Sequence, residues 1–438
     1  MDSRELARRA VELARRAGAQ EAAAGAMRSR RVELDWRDGK IEKVTEATQR
    51  SLSLGLYVDG RYGSVSSSDL RPAALADFIA GAVTMTRALA VDPDRRLPDP
   101  ELYRGRSTVP LEIDDPSQES LTPDDRRQFA AALEAAARAV PDASAIVSVS
   151  TSFTDGWSER DLVTSNGFEG AERSTSFSAG ASVSIRDGDL RPEQTAFRTA
   201  RFRGDLIAAD ALGREAAGRA LGRRGSSKGK SAVATIVVEN RAAGRLITML
   251  LGALSGVTLH EKKSFLEGKL GQPLGNPLLS IVDQPHLRRG LASRHFDSEG
   301  LATRPRPIVE DGVLRTYFID SYYARKLGAP PTTQAASNLE WKLGDRSLAQ
   351  IVAAAGDGFL VTGFLGGNAN SATGDFSLGV QGHRITGGKL AEPFGEMNLA
   401  GNQTDLWKRL VSVGNDPYTS SSARTPTLAF DGVQIAGT

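Results

Sequence analysis

The sequence predicts an α+β protein, with helices and antiparallel hairpins in the N-terminal part and a larger β-rich C-terminal domain. Before residue 225, the spacing of apolar residues changes repeatedly between the helical period and the strand period. Beyond Leu270, short β-branched runs alternate with Gly, Pro and Asn turns as far as Ile435. This second pattern is typical of a barrel or a sandwich. With 438 residues, the chain has room for two or three domains.

Two helices are predicted in the first hundred residues. The first is capped by Ser3 and ends at Gly18, because the residues between them have apolar positions at helical spacing. The second runs from about Pro72 to Leu89, with Asp69 as the expected cap and the proline in the first turn.

Between these helices the period is that of strands. Apolar residues alternate with charged ones from Val32 to Trp36, and alternation returns from Leu52 to Val58. The pairs Asp38-Gly39 and Asp59-Gly60 predict tight hairpin turns, because Asp-Gly accepts the positive φ that such turns need. A surface connection, rich in Pro, Asp and Arg, is expected over 92–123.

The middle of the chain again contains both helix and strand patterns. A helix is predicted from Thr122 to about Val140, with acidic residues in its first turn. Strands are predicted at 146–149, 161–164 and 176–185, then a helix over 205–221, and then a small, charged linker at 223–231. The linker ends in Gly-Lys-Ser, but it precedes a strand instead of following one, so a phosphate-binding loop is not predicted.

After the linker, we expect a strand at 234–238, a helix at 242–254 and, within the β-rich domain, one further helix at 321–327. The predicted domains are therefore an N-terminal α+β segment at 1–120, a middle α+β segment at 121–225 and the β-rich domain at 232–438.

Composition excludes several classes of function. Lys and Arg number 55 against 53 Asp and Glu, which provides no concentrated positive charge for direct nucleic-acid binding. The chain has no Cys, so disulfides and thiolate metal sites are absent. The first residues have no apolar signal-peptide core, and the longest apolar stretch, near 246–254, is too short to span a bilayer. A cytoplasmic protein with no membrane partner is expected.

The run from Thr258 to Phe265 begins like a zinc-protease helix and then departs from it. Such a helix places a second His about one turn after a His-Glu pair, so that both rings bind one metal ion. Here His260 and Glu261 form the pair, but Ser264 and Phe265 follow at the places where the second His would stand. We therefore predict that this chain has no metal site and no catalytic residues of its own, and that His260 and Glu261 are a remnant.

Other ionisable residues are weaker candidates. The remaining histidines, His286, His295 and His383, are expected to be separate surface or hydrogen-bonded residues, although distant residues can converge on a metal. Asp297 and Glu299 are two residues apart, and in a turn they are expected to bind backbone amides instead of acting in catalysis.

Several motifs resemble one protein family. The segments are Phe296-Asp297-Ser298-Glu299-Gly300, Tyr322-Tyr323-Ala324-Arg325-Lys326-Leu327-Gly328, Ala372-Thr373-Gly374-Asp375, Val413-Gly414-Asn415-Asp416 and Ile435-Ala436-Gly437-Thr438. Together they resemble the TldD/PmbA family, with its D-x-E-G turn and its Y-x-A-R-x-L-G helix. The family's first segment would cover about 30–95.

The resemblance implies two types of subunit. The TldD type resembles a zinc peptidase with two His ligands on a helix and a Cys ligand near the C-terminus. The TldE type, also called PmbA, resembles it without these ligands. This sequence has Phe265 for the second His and no Cys, with Ser420, Ser421 and Ser422 in the C-terminal region, so the resemblance implies the TldE type. An older description in this family is a modulator of DNA gyrase.

The resemblance and the residues together lead to three hypotheses about function. The first is a non-catalytic subunit of a heterodimeric metalloprotease, whose TldD-type partner supplies zinc and whose substrates are unfolded peptides. The second is a stand-alone homodimer that binds peptide without hydrolysis, and the third is a peptidase with an unconventional metal site. For the first, the candidate substrate cleft is the Gly-rich segment with Gly363, Gly366, Gly367 and Gly374, where a peptide backbone could approach closely. A packing role for these glycines is the alternative and has equal weight.

Overall fold

The computed structural model describes residues 2–438, which form nine helices and sixteen strands. The α-helices are α1 Ser3–Arg16, α2 Pro72–Thr86, α3 Pro123–Arg138, α4 Ala209–Leu221, α5 Asn240–Ala253, α6 Gly256–His260, α7 Ser321–Leu327, α8 Leu348–Ala355 and α9 Gln403–Lys408. The first seven strands are β1 Glu21–Arg37, β2 Lys40–Val58, β3 Arg61–Ser67, β4 Ile146–Thr164, β5 Glu169–Ile185, β6 Glu193–Ala200 and β7 Ala232–Val238. The others are β8 Ile281–Gln284, β9 Arg306–Glu310, β10 Val313–Leu314, β11 Asn338–Trp341, β12 Gly358–Ala369, β13 Asp375–Thr386, β14 Lys389–Asn402, β15 Leu410–Val413 and β16 Leu428–Ala436.

The N-terminal part is one antiparallel sheet with the order β3-β2-β1-β4-β5-β6. Its centre is the pair β1–β4, which runs from Ala23 opposite Thr164 to Arg37 opposite Ser150. Helices α1 and α2 cover the apolar side chains of β1 and β2, while α3 and α4 cover those of β4–β6. The two N-terminal segments therefore share a single sheet.

The C-terminal part contains a closed barrel of five strands. The order β14-β13-β12-β7-β16 is completed by pairing of β14 with β16, and β15 extends β16 on the outside. A small sheet with the order β10-β9-β8-β11 packs beside it. Side chains from the barrel strands and from α5 form one large core, with Trp407 and Phe430 among its largest buried members. The predicted α+β class and barrel-like C-terminal domain are confirmed.

Both hairpin turns are confirmed, and Thr122 caps α3 in a reciprocal pair with Asp125. Two other caps were assigned wrongly. Asp2, not Ser3, caps α1, because its side chain accepts from the amide of Glu5. Arg71 precedes α2 and provides no side-chain cap, while Asp69 instead binds the Arg71 side chain.

The separate strands predicted at 146–149 and 161–164 are wrong, since β4 is continuous from Ile146 to Thr164. The residues between these two segments are mostly small or polar, so they show no apolar alternation from which a strand could be predicted. On the covered face of β4 lies Asp155, which is buried and ion-paired with Arg126 of α3, at 3.0 Å between Nη2 and Oδ2. The buried carboxylate of Asp155 is therefore tolerated in the strand because its charge is paired with that of Arg126.

Two connections are more deeply packed than predicted. The segment 92–123 buries Leu97, Tyr103, Leu111 and Ile113, and it is not a simple surface connection. The linker at 223–231 is anchored by Arg223, which is 7% exposed and donates from Nη1 to the carbonyl oxygen of Phe394 over 2.6 Å. Helices α8 and α9 were not predicted from the sequence. Helix α9 has only six residues, and α8 is apolar at all but one of its eight positions, so neither shows the alternation of apolar and polar faces that indicates a helix.

Over residues 2–438, no helix is both long enough and apolar enough to cross a membrane.

Candidate active-site helix and peptide cleft

The His-Glu pair lies at the end of a helix and not within one. Helix α6 has five residues and ends at His260, and Glu261 is its C-cap residue. Lys262 then adopts φ 55°, the left-handed conformation that leaves a helix. A His one turn further along the same helix face could not follow, because the helix does not continue.

The chain after His260 turns into the C-terminal core. Ser264 is buried and donates from its hydroxyl to the carbonyl oxygen of Ala253 over 2.5 Å. The amide of Phe265 donates to the carbonyl oxygen of Ser371 over 2.8 Å, and the Phe265 ring packs against the core. The position of the second His therefore belongs to the packing between this segment and the loop that joins β12 to β13.

The residues around His260 do not fit the zinc site of a peptidase. The ring of His260 lies beside Tyr323, with 5.8 Å between centroids, and the Glu261 carboxylate pairs with Lys263 at 2.8 Å. This contact with Lys263 holds the pKa of Glu261 below its usual range. In the part of the chain that the structure describes, no three His, Asp or Glu side chains are grouped so that they could hold a metal ion.

The other histidines occupy hydrogen-bonded positions. His383 Nε2 lies 3.0 Å from the carbonyl oxygen of Gly222, so the tautomer that donates carries its proton on Nε2. His286 contacts the hydroxyl of Thr303 at 3.3 Å, and His295 contacts the carbonyl oxygen of Val109 at 2.9 Å. Their hydrogen bonding agrees with the prediction, but the expected separation is wrong for one pair: the rings of His286 and His295 are 5.9 Å apart.

The Gly-rich segment lies mainly on β12 and leaves one edge of that strand open. On one side β12 pairs with β13 from Gly358 to Ala369, whereas β7 pairs on the other side only at Gly358–Val361. Residues from Leu365 to Ala369 are exposed, and in this stretch the described contact on the open side is Arg245 Nη2 to the Gly367 carbonyl oxygen, at 3.3 Å. Such an edge presents unpaired backbone groups to which an extended peptide can pair.

Each candidate glycine has a local structural setting. Gly367 has φ 118° and approaches β13 so closely that a Cβ atom would lie 2.2 Å from the carbonyl oxygen of Ser377. Gly366 has φ 121° with open space around it, Gly363 faces the side chain of Gln381, and Gly374 ends the turn beside Phe265. The hairpin therefore requires glycine for its own backbone at Gly366 and Gly367, beside any contact with a ligand.

The D-x-E-G turn forms a polar site between the two parts of the protein. Asp297 is buried, and its Oδ1 accepts the amides of Glu299 and Leu301 at 2.9 and 3.0 Å, as predicted. Glu299 instead accepts both the amide and the hydroxyl of Ser321, at 2.8 and 2.6 Å. Burial, with the neighbouring carboxylates of Asp297 and Asp320, raises the pKa of Glu299 to about 7 despite these hydrogen bonds.

Glu299 faces a cavity of about 280 Å³ beneath the first sheet. Arg95 lies on its rim, with its guanidinium carbon 3.4 Å from the centre of the Tyr322 ring and 4.9 Å from that of Tyr62. The cavity thus combines a carboxyl group that titrates near neutrality with aromatic and cationic walls. The sequence signal for it is the D-x-E-G motif, but the prediction that its acidic pair binds only backbone amides is incomplete, because Glu299 also binds the Ser321 hydroxyl.

Helix α7 carries the Y-x-A-R-x-L-G motif. It forms hydrogen bonds and ion pairs between the C-terminal domain and the segment after α2. The Tyr322 hydroxyl donates to Asp92 over 2.8 Å, and Lys326 pairs with Asp92 and Asp94 at 3.0 and 3.1 Å. Arg325 donates to the carbonyl oxygens of Asp94 and Arg96 at 2.7 and 2.8 Å. The motif therefore has a structural role that the sequence alone did not reveal.

Comparison with known families covers nearly the whole chain. Residues 22–86 match the model of PmbA/TldA metallopeptidase domain 1, residues 116–224 the central domain, and residues 231–437 the C-terminal domain. This chain belongs to the PmbA/TldD family. The resemblance predicted from the sequence motifs is thereby confirmed.

Individual relatives agree with the family. The chain is 31% identical to the metalloprotease PmbA of Escherichia coli O157:H7 over 408 residues, which are 93% of this chain and 90% of that protein. It is 29% identical to a PmbA homologue of Haemophilus influenzae, over 98% of this chain and 94% of that one.

Solved structures show the same fold. A Bacteroides thetaiotaomicron protein, described as a proposed modulator of DNA gyrase, has a TM-score of 0.96 at 40% identity and matches 99% of this chain and 98% of its own. TldE of Thermococcus kodakarensis has a TM-score of 0.86 at 20% identity, over 99% of this chain and 100% of its own. This PmbA/TldD-family chain is thus metalloprotease-like in sequence and fold.

Proposed function

We propose that this chain is a TldE/PmbA-type subunit without its own zinc centre, and that it completes a cytoplasmic heterodimeric metalloprotease with a TldD-type partner. The partner would supply the zinc ion and the general base, and the substrates would be unfolded peptides. The observation that carries the proposal is the path of the chain from His260 to Phe265. Helix α6 stops at His260, and Phe265 binds Ser371, so the ligand set of a zinc helix is not assembled.

This chain would contribute peptide binding. The open edge of β12 from Gly363 to Ala369 offers backbone groups to an extended substrate, and backbone pairing has little dependence on side-chain sequence. Exposed Leu365 would add an apolar contact. An unfolded polypeptide is the class of ligand that such an edge suits, because a folded protein has already paired most of its own strands.

The deciding experiment is cleavage of an unstructured polypeptide by this chain alone, by a TldD-type relative alone and by their mixture, each with and without a zinc chelator. We expect activity in the mixture alone and its loss with the chelator. Chelator-sensitive cleavage by this chain alone would overturn the proposal and support an unconventional metal site that includes His260.

A variant pair tests the contribution of the edge. Leu365→Asp places a charge on the open edge, whereas Val411→Asp places the same charge on β15 at nearly equal exposure, 53% for Leu365 and 51% for Val411. In the active mixture, we expect Leu365→Asp to raise KM about tenfold or more and Val411→Asp to leave it unchanged. Equal KM values for the two variants would remove the edge from the substrate site.

The open edge also supports a second candidate, a stand-alone homodimer that binds peptide without cleaving it. It predicts that the purified chain binds an unfolded peptide by itself and protects amides between Gly363 and Ala369 from hydrogen exchange. Peptide binding combined with no cleavage in any mixture would favour this candidate over the proteolytic pair.

A further inference from the structure

We propose that the chain has an oxyanion-binding pocket, here called the arginine pocket, where β6, the loop after β8 and the loop before β16 meet. It has a volume of about 640 Å³ and is lined by five arginines: Arg198, Arg201, Arg288, Arg289 and Arg424. Its ligand class is a carboxylate or a phosphate group. The proposal is separate from the peptidase function and does not require it.

Three of the five arginines already have carboxylate partners. The pairs are Arg198 with Glu215 at 2.6 Å, Arg288 with Glu112 at 2.7 Å, and Arg289 with Asp205 at 3.0 Å. These pairs hold the side chains in place, and because each guanidinium has five N–H groups, donors remain beyond those that the pairs use. Most of the charge on these three arginines is balanced within the protein.

The other two arginines form no ion pair within the described residues, although the Glu172 carboxylate acts on Arg201 at longer range. Over residues 2–438, neither Arg201 nor Arg424 has a carboxylate oxygen within 4.0 Å. Arg201 is fixed by the carbonyl oxygens of Thr175, at 3.0 Å, and of Gly290 and Leu291. Burial lowers its pKa, but an arginine in a protein stays protonated, so the pocket retains this positive charge.

Arg424 is presented by a loop that is anchored on both sides. The Tyr418 hydroxyl donates to the Phe197 carbonyl oxygen over 2.9 Å, and the Thr425 hydroxyl donates to that of Asn240 over 2.7 Å. Arg424 itself has φ 44°, and its half-buried side chain has no hydrogen bond or ion pair in the described residues. A positioned cation without a counterion is suited to an anionic ligand.

The remaining lining matches the same chemistry. Thr199, Thr419 and Ser420 also line the pocket. The Thr199 hydroxyl is 2.9 Å from the Ser178 hydroxyl, whereas the hydroxyls of Thr419 and Ser420 can donate to oxygen atoms that the guanidinium groups leave free. Guanidinium forks fit the two oxygens of a carboxylate or a phosphate, whereas a cationic ligand would be repelled by the two arginines that form no ion pair among the described residues. The C-terminus of a peptide and a free phosphate are the two sources of such a group.

The test is calorimetric titration at constant ionic strength with inorganic phosphate and with two versions of one short peptide, a free C-terminal acid and its amide. The variants are Arg424→Gln and Arg288→Gln, and the control is Arg191→Gln. Arg191 is exposed and contacts only backbone carbonyl oxygens, so this control removes the same charge away from the pocket. Unfolding midpoints show whether Arg424→Gln is folded, and exposed Arg288 offers a second variant if it is not.

We expect saturable binding of phosphate or of the free-acid peptide, weakened about tenfold by Arg424→Gln and unchanged by Arg191→Gln. Stronger binding of the acid than of the amide identifies the peptide C-terminus as the source, and binding of phosphate alone identifies a phosphate group. The proposal is overturned by no saturable binding of either anion, or by equal binding in the pocket variants and the control.

Discussion

The backbone amide of Phe265 is hydrogen-bonded to the carbonyl oxygen of Ser371 at 2.8 Å. This bond joins the segment after α6 to the turn between β12 and β13. Phe265, which stands where a zinc-protease helix would have its second His, is thereby held against this turn. Because α6 ends at His260, an imidazole at position 265 would not lie on a continued face of the same helix, and we expect that it would not restore a zinc site.

Phe265→His is expected to bind no stoichiometric zinc, because the new ring would replace a half-buried side chain that packs against the core, beyond the end of α6 at His260. Loss of apolar packing should lower the free energy of unfolding by about 1–3 kcal/mol. Zinc is measured by competition with a chromogenic chelator, with the wild-type chain as reference. One zinc ion per chain, bound below about 1 μM, would contradict this account of the helix end.

Glu299→Gln is expected to flatten the dependence of stability on pH near neutrality. The folded-state pKa of Glu299 is raised to about 7, so the folded protein holds this proton more tightly than the unfolded chain. Its contribution is present below the ordinary glutamate pKa and is lost as pH rises toward about 7. Between pH 5 and pH 8, the variant should gain on the order of 2 kcal/mol relative to the wild type.

The measurement for Glu299 is urea unfolding of both proteins across that range. Glu267→Gln is the matched control, since it makes the same change at an exposed position. A constant difference between Glu299→Gln and the wild type from pH 5 to pH 8 would show that Glu299 titrates like an ordinary surface glutamate.

Asp155→Ala is expected to destabilise the protein by about 3–5 kcal/mol, because it leaves the buried guanidinium of Arg126 without its partner. Asp210→Ala breaks an exposed pair with Arg214 in α4 and should cost less than about 1 kcal/mol. Chemical unfolding of the two variants compares the pairs directly. Similar losses in the free energy of unfolding for both variants would mean that burial of Arg126 does not determine how much the lost pair destabilises the protein.

Gly367→Ala is expected to destabilise the β12–β13 hairpin by about 2 kcal/mol or more, since the new methyl group would meet the Ser377 carbonyl at a positive φ. Gly81→Ala, within α2 and with open space around it, should stabilise the protein by about 0.5–1 kcal/mol. Thermal unfolding and amide exchange between residues 363 and 379 distinguish the two effects. Undiminished protection of that hairpin in Gly367→Ala would contradict the close approach seen here.

The sequence predicted those features that depend on local spacing. Asp-Gly turns located both N-terminal hairpins, and the Thr122 cap located α3, because each depends on a few adjacent residues. The course of β4 could not be read in the same way, since Asp155 looks like a loop residue until Arg126 is brought to it by the fold. The end of α6 depends on a left-handed Lys262, which no local residue preference indicates.

For the candidate site, too, the sequence predicted the local motifs but not the residues that they contact. The motifs identified Asp297, Glu299 and the α7 residues, but their partners are remote in sequence: Ser321 for Glu299, and Asp92 for Tyr322. The five arginines of the arginine pocket come from three separate segments, so no window of sequence contains them together. Long-range contact, and not residue preference, determines these sites.

The central pairing of β1 with β4 has a consequence for synthesis of the chain. Arg37 pairs with Ser150 and Ala23 with Thr164, so the middle of the first sheet cannot close until the ribosome has delivered β4. At typical rates of translation, β1 waits roughly 5 to 20 seconds for its neighbour. During this interval its edge is open to other nascent chains, and a fragment that ends before Ile146 would keep it open permanently. Early binding of a chaperone to β1 would protect this strand until its partner arrives.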